Sequence, residues 1–154
     1  MSELVLQEFP MAPATPEIIE KIRRIEERIR PHEHLLRVRM EHHLHAGLYA
    51  RTCHLEANSV ITSVLIKIPT LLIVSGTCLI LAGEEWRELN GYHVLCAPAM
   101  RKQIYVTLGP TQITMAFATQ ARTVEEAECE FTDEWVQLLS RREYNEEAKP
   151  VGVK

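Results

Sequence analysis

Glycine is scarce in this chain, with six in 154 residues, each standing alone. A phosphate-cradling loop needs several glycines within a few positions, so P-loops and dinucleotide fingerprints are excluded. No Gly-x-Ser-x-Gly elbow is present, and no cysteine stands in a recognisable His-paired context, so nucleophilic catalysis has no basis in the sequence. Positive charge is not in excess either. The formal net charge is −4, which gives no electrostatic reason to expect nucleic acid as a partner. The four cysteines, Cys53, Cys78, Cys96 and Cys129, form no CxxC pair. Their spacing fits neither a zinc knuckle nor a disulfide framework, and they are expected as buried, reduced thiols.

A long uninterrupted apolar run is also missing. The stretch Val60 to Leu81 is rich in Val and Ile but is broken by Lys67, Pro69 and Gly76. A spanning helix needs about 20 apolar residues without such breaks, so no membrane partner is expected and the stretch reads as buried strands. The opening MSELVLQEF lacks the basic start and long apolar core of a signal peptide.

What is present reads as a short helical entry, a run of strands and a helical exit. Residues 1–14, with Pro10 and Pro13, are expected as a flexible arm. A helix is expected over 15–31, with Thr15 as N-cap, Pro16 at its first position, Glu17 at the positive end of the dipole and Pro31 as its stop. Ile18, Ile22, Ile25 and Ile29 recur at helical spacing and give one apolar stripe, which packs either on the domain's own surface or on a partner subunit. From Leu36 the period switches to two: Leu36, Val38 and Met40 alternate with Arg37 and Arg39. Short strands follow at about 47–55, 60–67, 70–75, 77–82, 85–89, 92–97, 102–108 and 111–119. The turn formers between them are Ala57-Asn58-Ser59, Ser75-Gly76, Ala82-Gly83, Asn90-Gly91 and Gly109-Pro110. Asn90-Gly91 is the strongest, because a type I′ hairpin needs positive φ at both central residues. Closely spaced short strands predict a sandwich or barrel over 35–120. Thr123-Val124-Glu125-Glu126 has the form of a capping box, and Thr132-Asp133 opens a second short helix, so helices are expected within 123–142. The acidic run in this segment reads as a solvated face, and 143–154 as a disordered tail.

The strand region resembles a small single-domain cupin. The likeness is carried by Gly47-Leu48-Tyr49-Ala50-Arg51 entering a strand, Glu56-Ala57-Asn58-Ser59 at a turn, and Leu72-Ile73-Val74-Ser75-Gly76. In particular, Glu41-His42-His43-Leu44-His45 running into Gly47-x-Tyr49-x-Arg51 is similar to cupin-like proteins encoded by bacteriophages. The segment 96–102 looks like that family's second conserved turn, and Phe117-Ala118-Thr119 followed by Thr123 to Glu128 like its strand-to-helix exit. The resemblance covers roughly half the chain. It implies a mainly β jelly-roll-like barrel, a homodimer, and a phage or prophage protein located in the bacterial or host-cell cytoplasm or in the virion.

Metal cupins hold Fe, Mn, Ni or Zn through two His separated by one residue, a carboxylate, and a third His from a second motif. Here the resemblance places Val64 and Ile66 at the paired His positions, Thr70 at the carboxylate and Gln103 at the third His. Val and Ile cannot ligate, so the ordinary metal site is expected to be absent. What remains is an apolar barrel interior with Thr62, Thr70 and Gln103 as polar contacts, which is either a small-molecule pocket or a filled core.

The rival reading rests on histidine. His43 and His45 share a strand face, and His54 lies on the next strand, so three imidazoles can converge on a divalent transition metal. Trp86 reads as packing at the barrel rim. Arg101 and Lys102 read as an exposed basic turn, or else as an anion site at the barrel mouth. The preferred reading is a degenerate, cofactor-free, non-enzymatic module that binds a partner protein or a small apolar ligand. One alternative is a metal-dependent isomerase, epimerase or dioxygenase using His43, His45 and His54. The other is a phage structural or accessory protein.

Overall fold

The computed structural model describes residues 11–138. The first ten residues of the expected arm, the end of the expected C-terminal helices and the tail 143–154 lie outside the described residues. Helix α1 spans Pro16–Ile29 and runs into a 3-10 turn, Arg30–Leu35. The strands are β1 (Val38–His45), β2 (Leu48–Leu55), β3 (Val60–Thr62), β4 (Thr70–Ala82), β5 (Glu85–Ala97), β6 (Ile104–Thr107) and β7 (Thr111–Ala118). Helix α2 spans Val124–Phe131, and a 3-10 turn at Trp135–Gln137 follows it.

The strands form one antiparallel sheet of order β1-β2-β7-β4-β6-β3, with β5 on the other edge of β4. The strands at the two ends of this path, β1 and β3, are not paired with each other. The sheet therefore curls as a half-barrel instead of closing into a complete jelly roll. The expected mainly β class, with an N-terminal helix and a short C-terminal helix, is present.

The central strand shows how the sequence builds the curl. On one side, β4 pairs with β5 along its whole length, from Thr70↔Ala97 to Ala82↔Glu85. On the other side it changes partner: residues 71–75 pair with β7 and residues 78–81 with β6. The change falls around Gly76, whose φ is +136°. The loop from β6 to β7 folds against that point, and Leu108 N, Gly109 N and Thr111 Oγ1 all donate to Thr77 O at 2.9–3.2 Å.

Two expected hairpins do not form. The strands anticipated at 70–75 and 77–82 are one strand, and so are those at 85–89 and 92–97. Asn90-Gly91 is not a hairpin turn; it sits inside β5 opposite Thr77 and Gly76. The expected Ala82-Gly83 turn does form, and a further tight turn falls at Ala46-Gly47. Gly83-Glu84 joins β4 to β5, and Ala46-Gly47, both at positive φ (+53° and +72°), joins β1 to β2. Positive φ at both central residues is the type I′ pattern whose twist matches the flanking strands. The strand expected at 60–67 ends at Thr62. Beyond it, ladder bonding is replaced by bonds to the C-terminal segment: Lys67 N donates to Phe131 O, Leu65 N to Glu134 Oε2, and Thr132 Oγ1 to Leu65 O.

Helix α1 is capped by Thr15 Oγ1, which accepts from Ile18 N at 3.3 Å. Its stripe packs on the chain's own sheet, with Ile18 and Ile22 buried against Leu81 and Ile104. Pro31 does not stop the chain in an extended form but sits early in the 3-10 turn, where its missing N–H is not needed. Residues 11–14 are held down. Met11 is buried in the core between Leu72, Val74 and Tyr105, and Ala14 N donates to Met100 O at 2.8 Å. A second core joins Tyr49, Met115 and Phe117 of the sheet to Ala127 and Phe131 of α2.

Candidate functional site

The concave face of the sheet holds a cavity of about 130 Å³. Strand alternation explains why. Directly opposed residues of an antiparallel ladder share a face, so Met40, Cys53 and Ile113 point inward together, as do Arg51, Met115 and Leu72. All of these line the cavity. Phe131 and Leu138, at the C-terminal end of the described chain, cover it from the other side.

Four of the positions singled out by the cupin resemblance meet here. Thr62, Val64, Ile66 and Gln103 line the cavity. Ser63 and Gln103 are cross-bonded, with Ser63 N donating to Gln103 O and Gln103 N donating to Ser63 Oγ, both at 2.9 Å. Ile66 and Arg101 form a two-way backbone bridge at 2.9 and 3.1 Å. Thr70 is not on the cavity wall; it is buried and its hydroxyl accepts from Arg101 Nη2 at 2.6 Å.

The basic turn expected at Arg101 and Lys102 is not exposed: these residues are 1% and 2% accessible. Lys102 Nζ turns toward α1 and bonds Glu26 Oε1 and Ser63 O, both at 2.7 Å. Arg101 borders the cavity, but its guanidinium is buried against groups off the cavity wall. It donates to Thr70 Oγ1, to Pro98 O at 3.0 Å and to Ile68 O at 3.4 Å, and every one of these acceptors is neutral. Its Nε has no partner among the described residues. Burial holds the guanidinium below its ordinary pKa, yet arginine stays charged in proteins.

Other wall groups are satisfied. Tyr105 Oη donates to Gln103 Oε1 at 2.7 Å, and burial pushes the phenol up out of any working range. Arg51 lies 3.4 Å from Glu128 Oε2 and 5.2 Å above the Phe131 ring. Glu128 is only 2% accessible, so one member of the acidic run expected as a solvated face instead ties α2 to β2. His42 Nδ1 lies 2.7 Å from Tyr49 Oη on the inner face.

His43, His45 and His54 occupy the opposite, convex face, since they share ladder positions with Ala50, Leu48 and Arg39. His43 Nε2 is 3.8 Å from Glu41 Oε2, and His54 Nε2 is 3.3 Å from Glu41 Oε1 without hydrogen-bond geometry. Glu41 also takes a hydrogen bond from Arg39, which holds its carboxyl below the ordinary value. Among the described residues no group of three or more His, Cys, Asp or Glu side chains is arranged to hold a metal ion. Of the cysteines expected as buried, only Cys78 is fully buried, while Cys96 and Cys129 are exposed, outward-facing on β5 and α2. Trp86 is exposed on β5, not packed at a rim. Among the described residues no helix is long and apolar enough to cross a membrane.

No family model matches the chain, and no curated protein matches it. Solved structures to which it is similar include a cupin superfamily protein from Desulfitobacterium hafniense, 14% identical over 55% of this chain and 79% of that one, at a TM-score of 0.46. Another is the cupin domain of an XRE family transcriptional regulator from Enterobacter cloacae, 12% identical over 55% of this chain and 98% of that one, at 0.44. A third is a cupin conserved barrel domain protein from Salinispora arenicola, 13% identical over 55% and 82%, at 0.44. These likenesses are distant and carry no argument about ligand or activity. The fold stands on the strand order and register.

Proposed function

We propose that this chain is a cupin-like, non-enzymatic binding module that takes a small, mainly apolar molecule in the hollow of its curled sheet. The observation that carries this is the cavity itself. Its wall is built from Val64, Ile66, Leu72, Met115 and Phe131, with a few fixed polar groups converging on it from the Arg101–Gln103 segment. An apolar hollow with a few placed polar groups is the common form of a small-molecule site. Cavities of about 150 Å³ with apolar linings take up benzene. The test is ligand-observed NMR with small aromatic and aliphatic compounds on the wild type and on Val64→Phe, which fills the hollow. Binding to the wild type and its loss in the variant is the expected result. Equal binding to both, or none to either, would sink the reading.

A second reading is supported by the convex face. Leu48, Leu71, Val94 and Tyr92 are all exposed there, and the ladder places them on one side of β2, β4 and β5. A contiguous apolar surface of this kind fits a protein partner or a second copy of the chain. A homodimer packed through this face should fall apart on Leu71→Glu with Val94→Glu in analytical ultracentrifugation. The phage or prophage origin implied by segment 41–51, and the structural or accessory role that goes with it, belong to this reading. The metal-dependent alternative through His43, His45 and His54 is tested by elemental analysis of untagged protein after incubation with Fe, Mn, Ni or Zn.

A further inference from the structure

We infer that the β1–β2–β7 side of the hollow binds a soft monovalent metal ion, Cu(I), on three sulfur atoms: the thiolate of Cys53 and the thioethers of Met40 and Met115. The site goes beyond the apolar-ligand reading above and does not depend on it.

The ladder register brings these sulfurs together. Met40 of β1 and Cys53 of β2 are direct partners. Met115 of β7 stands opposite Arg51, which puts it diagonally across from Cys53 on the same concave face. Directly opposed Cβ atoms lie about 5 Å apart and diagonal ones about 7 Å, within reach of long side chains. Methionine is unbranched and has three rotatable bonds, so both thioethers can swing onto the shorter cysteine between them. All three residues line the cavity. Met40 and Cys53 are only half-buried, so their side chains can be reached from the hollow. Met115 is 5% accessible and meets the ion at the end of its flexible arm. A methionine inside a protein ordinarily fills a gap. Met40 and Cys53 do not: neither belongs to the packed cores of the described residues, and the space beside them is open.

The chemistry of the wall selects the ion. Among the described residues it carries no histidine and no carboxylate, so hard and borderline ions lack their donors. Thiolate and thioether are soft and suit Cu(I). Two of these donors are methionines, so the set is compatible with the lack of a His, Cys, Asp or Glu cluster among the described residues. Charge selects in the same direction. Arg51 and Arg101 border the hollow, and a further net positive charge between them would be costly. A divalent ion on one thiolate leaves such a charge. Cu(I) does not, because binding releases the thiol proton and the charges of ion and thiolate cancel.

The experiment is an anaerobic titration of the full chain with Cu(I), supplied as its acetonitrile complex against a chromogenic Cu(I) chelator. The chain carries Cys96→Ser and Cys129→Ser, which remove the exposed thiols. Methionine methyl groups are followed by NMR. The expected result is about one Cu(I) per chain, with the Met40 and Met115 methyl resonances shifting and that of the exposed Met100 staying in place. Cys53→Ser should abolish tight binding. Met40→Leu and Met115→Leu keep side-chain volume and should each weaken binding by at least about 10-fold, the least that even a supporting residue of a metal site contributes. Tight binding that survives Cys53→Ser would overturn the site. So would binding that needs Cys53 but ignores both leucine variants and leaves the methyl groups unmoved, which is how a lone thiol behaves. Zn(II) held as tightly as Cu(I) would overturn the soft monovalent assignment. No Cu(I) uptake by protein whose methyl spectrum shows it folded would overturn the site outright. Binding of small aromatic compounds is measured separately on the same protein, so failure of either reading is recognisable without the other.

Discussion

Gly76 and Gly91 are register partners in the β4–β5 ladder, both at positive φ, yet their surroundings differ completely. A Cβ on Gly76 would stand 2.4 Å from Pro110 O and 2.8 Å from Thr111 Cα, both backbone atoms that cannot swing aside. A Cβ on Gly91 would meet nothing within 4 Å. The pair therefore separates backbone strain from steric exclusion. Gly91→Ala should cost about 1 kcal/mol, the strain alone. Gly76→Ala should cost about 3 kcal/mol or more, because the β6–β7 loop must also move. Urea unfolding of both variants checks this, and equal costs would show that the loop yields freely.

The same two glycines explain what the sequence conceals. Each was expected to end a strand, because an isolated glycine in a strand pattern marks a turn, a bulge or a close approach with the same letter. Only the tertiary neighbour, Pro110, tells which. Local signals read correctly where the chemistry is local. Thr15 caps α1, and Thr123 Oγ1 accepts from Glu126 N at 3.2 Å as its spacing implies. The period of two correctly gave the mainly β class. The site was harder to see. Val64, Ile66 and Gln103 come together on the cavity, but Arg101 was read as an exposed turn because charged residues are rarely buried. Its burial depends on Thr70 and Pro98 and on the bridge to Ile66, and no pattern near Arg101 announces those contacts.

Met100 offers the reverse substitution. It is half exposed and sits at φ +56°, where glycine is at ease. Met100→Gly removes left-handed strain of about 1–2 kcal/mol and adds back part of it as lost unfolded-state restriction. A net gain of about 0.5–1 kcal/mol is expected, a rise of roughly 2 °C in thermal midpoint for a domain of this size. A fall in midpoint would mean that the Met100 side chain packs more productively than its exposure indicates.

Lys102 and Glu26 tie α1 to the half-barrel through a contact 2.7 Å long. The ammonium is buried, whereas the Glu26 side chain keeps 17% of its accessibility, so the pair is only partly desolvated. Removing the carboxylate strands a buried cation. Glu26→Ala should cost about 2 kcal/mol, below the 3–5 kcal/mol or so of a fully buried pair. Thr62 Oγ1 loses its acceptor in the same variant. Adding Lys102→Met should recover about 1 kcal/mol or more of that loss in a double-mutant cycle. Additive costs would show that the two side chains do not depend on each other.

The pH response should come from the inner-face histidine. Burial first, and then the Arg51 charge, hold His42 below its ordinary value of 6.5. The folded state therefore takes up a proton less readily than the unfolded chain. Above 6.5 neither state is protonated and stability is whole. As pH falls below it the unfolded chain gains the proton first, and stability is lost progressively down to the folded-state value. Protonation also makes both ring nitrogens donors, so the hydrogen bond to Tyr49 Oη can persist only with the phenol as acceptor. The urea midpoint of the wild type should fall between pH 7 and 5, and His42→Gln should flatten that fall. The exposed His32 and His43 are common to both proteins and cancel in the comparison. If the two proteins fall in parallel, the titration that matters lies elsewhere than at His42.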